Sequence, residues 1–392
     1  MKNIQLFFAL TIFTIAVSCK NESTHTVTIT NTLDVPRSLE TIEINKSDLS
    51  LKEGESFENL SVRDSETKEV LVSQFVDSDQ DGEADMLLFQ PEITANVSKQ
   101  FELVVVDEAS KPETTAYCYS RFVPERTDDY AWENNKVAFR TYGPNAQYRF
   151  ENNLEEGTLS SGIDAWLKKV DYPIIDSWYK KYTEKTGTYH EDTGEGLDNF
   201  HVGSSRGVGG IAIKQDTTFY ISKNFIKWET ITTGPLRTSF VLDYGNWDAN
   251  GQNIIEKKYI SLDYGSNLSK FEIEISGTDT VAAGLTLHEN DGEPTQNQGA
   301  GWISYWQPHG NSELGTAIVV PNNNLLSSEL YVTGLKDRSN LYAQIKVNEG
   351  KAIYYAGFGW KESKEFNSKS DWEDYLNDFS KKANNPLVVS YN

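Results

Sequence analysis

Along most of the chain, apolar and polar residues alternate, or short β-branched runs are closed off by Gly, Asn, Asp or Pro. A period of two predicts strands, here at 26–30, 101–106, 137–141, 210–214, 238–242, 271–275, 285–288, 316–320, 341–347 and 352–355. Helical spacing is scarce. The segment 371–379 is the best instance, with Ser370 as a candidate N-cap and Trp372, Tyr375, Leu376 and Phe379 on one side. A polar, acidic stretch at 112–124 divides the pattern and suggests a β-module over 19–118 and a larger β-sandwich over 119–392. The expected fold class is therefore mostly β.

The first residues break this pattern. A basic tip at Lys2 precedes an apolar run from Ile4 to Val17, and small residues Ala16 and Ser18 stand before Cys19. Polar Lys20 to Ser23 follow at once, so the run is too short for a span, which needs about 20 apolar residues. The reading is a signal peptide over 1–18, cleavage before Cys19, lipidation of that cysteine and residence at the outer membrane.

Charge narrows the partners. Acidic side chains outnumber basic ones by 58 to 36, a net charge of −22, which argues against nucleic acid. An anionic substrate would need a local cluster of cations. With Cys19 acylated, Cys118 has no partner, so burial alone must hold the fold. About 370 residues after cleavage are enough for that.

Two segments carry candidate chemistry. Asp77, Asp79, Asp81 and Asp85 alternate with other residues around Gly82, like the first half of an EF-hand loop, although Leu88 stands where the closing glutamate belongs. A structural calcium is expected there in preference to a plain acidic turn.

The second segment, Tyr189 to His201, holds two of the five histidines with Asp192 and Glu195, and six glycines occur between Gly194 and Gly210. Such a loop favours close backbone approach, and histidine can exchange protons near neutral pH. Gly203-Ser204-Ser205-Arg206-Gly207 matches the serine-hydrolase elbow in letters, but a strand-like run follows instead of a helix. The spacing of His190 and His201 fits no standard zinc motif. Arg206, and Arg237 at the entry to a strand, are candidate carboxylate clamps. His288, Trp306 and His309 are further cleft-type residues. For the tryptophans at 166, 178, 302 and 306, a core position is the more frequent outcome.

From Pro124-Glu125-Arg126-Thr127-Asp128-Asp129-Tyr130 onward the chain resembles a family of Bacteroidota lipoproteins, often encoded with polysaccharide-degrading enzymes. The matching stretches are Tyr142-Gly143-Pro144, Gly162 to Lys168, Asp171-Tyr172-Pro173, the His190 to Gly210 loop, Gly234 to Thr238 and Gly357 to Trp360. The resemblance implies a mutarotase-like β-sandwich. It is similar to the oligosaccharide dehydratases of ulvan-degrading bacteria, which implies elimination of water from a terminal uronate to leave a 4,5-unsaturated sugar, with no organic cofactor.

That reaction needs a base for the C5 proton, a group to neutralise the enediolate and an acid for the leaving hydroxyl. His190 and His201 are the candidates for base and acid, with Tyr189 as a reserve donor. Arg237 or Arg206 would hold the carboxylate of an anionic oligosaccharide, with Asp192, Glu195, Trp306 and His288 completing the binding site. Two other classes stay open, a glycoside hydrolase using carboxylates such as Asp192 and Glu195, and a non-catalytic carbohydrate-binding lipoprotein.

Overall fold

The computed structural model describes residues 25–335 and 337–391; the expected signal peptide and Cys19 lie outside them. The chain is mostly β, with an N-terminal β-module followed by a larger β-sandwich. In the module, a four-stranded sheet runs in the order Val388–Tyr391, His25–Thr30, Ser98–Val105, Leu60–Asp64. A three-stranded sheet of Ile42–Asn45, Met86–Phe89 and Ser73–Val76 accompanies it. Alternate residues point inward, so Val27, Ile29, Ile42, Ile44, Phe101 and Leu103 make one buried cluster. The last strand of the chain pairs with the first, Val27 opposite Tyr391.

The sandwich is built on an eight-stranded sheet ordered Lys227–Thr232, Arg237–Ala249, Gln252–Asp263, Leu268–Ser276, Lys351–Trp360, Ser312–Val319, Trp302–His309, Glu293–Asn297. A five-stranded sheet of Thr218–Tyr220, Val208–Gln215, Thr280–Thr286, Asn340–Lys346 and Leu325–Tyr331 shares its core. So does a third sheet of Gly196–Leu197, Asp164–Lys168, Ala138–Thr141, Asp129–Glu133 and Tyr119–Val123. The strands expected from the alternating pattern are present. The one expected at 285–288 ends earlier, as Thr280–Thr286, and His288 turns out of it at φ +45.

The described residues include three α-helices, α1 (Pro144–Glu151), α2 (Ile175–Thr183) and α3 (Lys369–Ala383). The cap of α3 is Ser368, not Ser370, and its hydroxyl accepts from the Asp371 N–H at 3.2 Å. Trp372 and Leu376 are fully buried on its inner side, as the spacing predicts. The helix also ties the two parts of the molecule together. Buried Arg37 of the module donates to the Asn385 carbonyl just beyond it, and Lys381 pairs with Asp34 at 2.6 Å.

The start of α2 is held by a buried acid. The Glu133 carboxylate accepts from the Ile174 and Ile175 N–H groups at 2.9 Å and pairs with buried Lys168 at 2.7 Å. This arrangement anchors α2 beside the loop that carries Tyr189 and His190.

Candidate active site

The Tyr189 to His201 segment closes on itself, because the Asp198 N–H donates to the Tyr189 carbonyl at 2.7 Å. The His190 ring reaches the same turn, with Nδ1 2.7 Å from the Asp198 carbonyl oxygen. A carbonyl can only accept, so Nδ1 carries the proton and Nε2 holds the lone pair of the neutral ring. His190 is about half exposed and lines a cleft of about 880 Å³, within the usual range for ligand sites.

His201 lines the same cleft, with Nε2 2.9 Å from Asp337 Oδ2 on a distant loop. Gly203 makes that contact possible. Its φ is +51, and a Cβ there would lie 2.2 Å from the Asp337 carboxylate.

Arg126, Arg140, Lys223 and Arg338 also line the cleft, against the two carboxylates Asp198 and Asp337. This is the local cation cluster that an anionic ligand requires in an acidic chain. Among the described residues, Arg126 and Arg338 have no carboxylate ion-pair partner. Arg126 donates to the hydroxyls of Tyr189 at 3.3 Å and Thr127 at 3.1 Å.

Arg140 is committed elsewhere, to buried Asp164, to Asp198 at 3.0 Å and to Asp129 at 3.7 Å. Burial pushes the Asp129 carboxyl up to about 6, against the pull of Arg140. Burial and the Asp164 carboxylate push Asp198 up to about 8, against the pull of Arg140. The Tyr189 hydroxyl accepts from both Arg126 and Arg140, so Tyr189 braces the two guanidiniums below the cleft.

Two more histidines stand behind His201. His288 Nε2 lies 3.1 Å from the His201 carbonyl oxygen and its Nδ1 2.9 Å from Gln307 Oε1, two acceptors of which a neutral ring satisfies one. The amide nitrogen of buried Gln307 has no hydrogen-bond partner. His309 contacts Asn199 at 3.0 Å and lies 5.5 Å from the His288 ring; burial, then His288, push it down to about 4. Four of the five histidines thus gather around 198–201.

Other residues expected at the site lie elsewhere. Arg237 is gripped by both oxygens of Asp263, opposite it across the strand pair, and by Glu43 of the module. Arg206 is buried under the cleft floor and donates to Ser161 and to the carbonyls of Ile211 and Ser204. Asp192 pairs with Lys169, and Glu195 with Lys181, Trp178 and Tyr172. Trp306 is buried in the cluster that includes α3 residues and donates to Glu313. Trp166, Trp178 and Trp302 are buried as well. Ser205 is fully buried, accepts from the Gly207 N–H and leads into the strand Val208–Gln215, so the elbow reading stays excluded. The residues missed from sequence are Arg126, Arg140, Asp198, Lys223, Asp337 and Arg338. Arg126 and Asp198 fell within stretches singled out beforehand, and Arg140 within the strand expected at 137–141.

A model of the domain of unknown function DUF4861 matches residues 29–389. The chain belongs to the DUF4861 family. It is 61% identical to the uncharacterized protein P7 of Formosa agariphila, over all of both chains. Two solved structures from Enterococcus faecalis are more distantly similar. One is a protein in glycosyl hydrolase family 38 (TM-score 0.48, 11% identity) and the other an alpha-mannosidase (TM-score 0.45, 10% identity). Each match covers 94% of this chain and 47% or 46% of the other, so the DUF4861 chain spans about half their length. Likeness of this degree assigns no chemistry.

The acidic loop of this DUF4861 protein gathers Asp77, Asp79 and Asp85 with ligand oxygens within 4.8 Å of one another, a group able to hold a metal ion. Asp81 is not in the group; its carboxylate accepts from the Glu83 N–H. Gly82 makes the expected sharp turn at φ +96, and its N–H is held by Asp77.

Proposed function

We propose that the cleft eliminates water from the terminal uronate of an anionic oligosaccharide. The observation that carries this reading is a histidine with a fixed tautomer beside cations without carboxylate partners. His190 Nε2 takes the C5 proton, and Arg126 pairs with the uronate carboxylate and neutralises the enediolate. His201, held by Asp337, protonates the departing C4 hydroxyl. The C5–H and C4–O bonds break, the C4–C5 double bond forms and water leaves. The resemblance to ulvan oligosaccharide dehydratases supplies the substrate class. No organic cofactor enters these steps.

One observation favours a second reading, hydrolysis of a glycosidic bond. The cleft holds two carboxyl groups, Asp198 and Asp337, and burial shifts Asp198 upward, the direction a general acid needs. Oligosaccharides ending in a saturated uronate separate the two. Elimination gives a product one water lighter that absorbs in the ultraviolet, whereas hydrolysis adds a water and releases a smaller sugar. Binding without either change would identify a non-catalytic carbohydrate-binding protein.

The Asp77, Asp79 and Asp85 group is proposed to hold calcium and to stiffen the module. A ligand at 100 times its Kd stabilises the folded state by about 2.7 kcal/mol, so calcium should raise Tm and a chelator should lower it. Asp79→Asn should abolish the difference. Equal Tm with calcium and with chelator would reduce the loop to an acidic turn. Lipidation at Cys19 is proposed to hold the protein at the outer membrane; no helix among the described residues is long and apolar enough to cross a membrane.

A further inference from the structure

The lining of the cleft divides by chemistry. One part is polar and charged and includes Arg126, Arg140, His190, Asp198 and His201. The other is apolar and comes from α1 and two further segments, as Phe150, Leu159 and Ile221. Leu159 and Ile221 are half-buried. Phe150 is 52% exposed, and no other large apolar side chain of the described lining is as open to solvent.

The backbone beneath this ring is held in place. After Phe150 the chain turns back on the helix, where the Leu154 N–H donates to the Arg149 carbonyl at 2.8 Å and the Thr158 N–H to the Ala146 carbonyl at 2.9 Å. Gly157 lets the returning segment pass this close, since a Cβ there would lie 2.4 Å from the Phe150 nitrogen. Buried Asn224 donates to the carbonyls of Gly143 and Thr158 at 2.9 Å, and Lys223 pairs with Glu151 at 2.6 Å. The segment that carries Ile221 is thereby tied to both ends of α1. Phe150 is presented to the cleft already positioned, which lowers the cost of covering it with a ligand.

The helix also sets a distance. Its first turn lies next to Arg126, because the Ala146 N–H donates at 2.9 Å to the carbonyl of Thr127, the residue that follows. Phe150 stands four residues further on, about 6 Å along the axis at the ordinary helical rise. That is of the order of one sugar unit. A uronate with its carboxylate on Arg126 therefore brings the next ring of the chain to Phe150. The faces of a sugar ring carry C–H groups and its rim carries the polar substituents, so an aromatic side chain covers a face whatever charge the rim bears.

We infer that Phe150, with Leu159 and Ile221, forms a platform for the apolar face of the sugar joined to the terminal uronate. The inference rests on the reading of the cleft as the seat of that uronate.

Calorimetry with the His190→Ala protein measures binding without turnover. The probes are the methyl glycoside of glucuronic acid and glucuronate linked to sulfated rhamnose. Adding Phe150→Ala should weaken the disaccharide about tenfold, the factor expected when part of one aromatic side chain is no longer covered, and leave the methyl glycoside within about twofold. Phe150→Tyr keeps the ring face and should bind the disaccharide as the parent does. If Phe150→Ala leaves both affinities unchanged, the platform is overturned and the uronate reading stands. Equal weakening of both probes would set the ring against the terminal sugar and refute the assignment to the next one, and a loss in Phe150→Tyr as large as in Phe150→Ala would refute packing on a ring face. Failure of both probes to bind the His190→Ala protein would overturn the uronate reading and the platform with it.

Discussion

His190→Ala is expected to lower turnover of uronate-ended oligosaccharides by about 10²–10⁴-fold while leaving the unfolding transition in place. The ring is half exposed and is anchored through Nδ1 to Asp198, so its removal opens no core cavity. The remaining rate would come from Arg126 and the other cations that still bind the substrate. His201→Ala should reduce turnover less for a substrate with a better leaving group at C4, because only the acid step is lost. Single-turnover absorbance measures both variants. Full activity in His190→Ala would exclude it as the base, whatever reaction the cleft performs.

Arg140→Leu should cost stability, about 3–5 kcal/mol, because it leaves Asp129, Asp164 and Asp198 buried with their central cation gone. The loss should depend on pH. The Asp129 and Asp198 carboxyls already sit above their ordinary range, so between about pH 4 and 8 the folded state binds more protons than the unfolded one. Stability contributed by these groups therefore falls as pH rises through that window. Without Arg140 the carboxyls move further up and the fall steepens. Denaturant unfolding at about pH 5 and pH 8 should show the larger deficit at pH 8. An equal deficit at both would mean that the side chain acts through packing alone.

Much of the fold could be read from alternation because most strands keep an apolar inner face. Gln252–Asp263 shows where that logic fails. Its inward positions are Ile254, Glu256, Lys258, Ile260 and Leu262, and the buried Glu256–Lys258 pair interrupts the period with two charges. The helix α2 was hidden for a related reason, since the group that holds its first N–H bonds, Glu133, lies more than one strand earlier in the chain. Glycines and histidines drew attention to a segment from which His190 and His201 line the cleft. The arginines misled. Arg237 looked free at a strand entry, but its partner Asp263 is set by cross-strand register, which no local pattern reveals. Arg126, at the end of the 3-10 turn Pro124–Arg126, and Arg338, on a distant loop, carried no such signal and are brought together by the closed sandwich.

The pairing of the last strand with the first has a consequence for biogenesis. Val388–Tyr391 completes the sheet whose neighbouring strand begins at His25, so the module lacks an edge until the whole sandwich between them has been made. Contacts this distant in sequence slow folding. A chain crossing a membrane from its N-terminus would hold that open edge for the full duration of transit. Exposed strand edges seed aggregation. If the proposed leader directs export, a chaperone that guards His25–Thr30 would therefore matter more for this protein than for one whose first domain closes on its own.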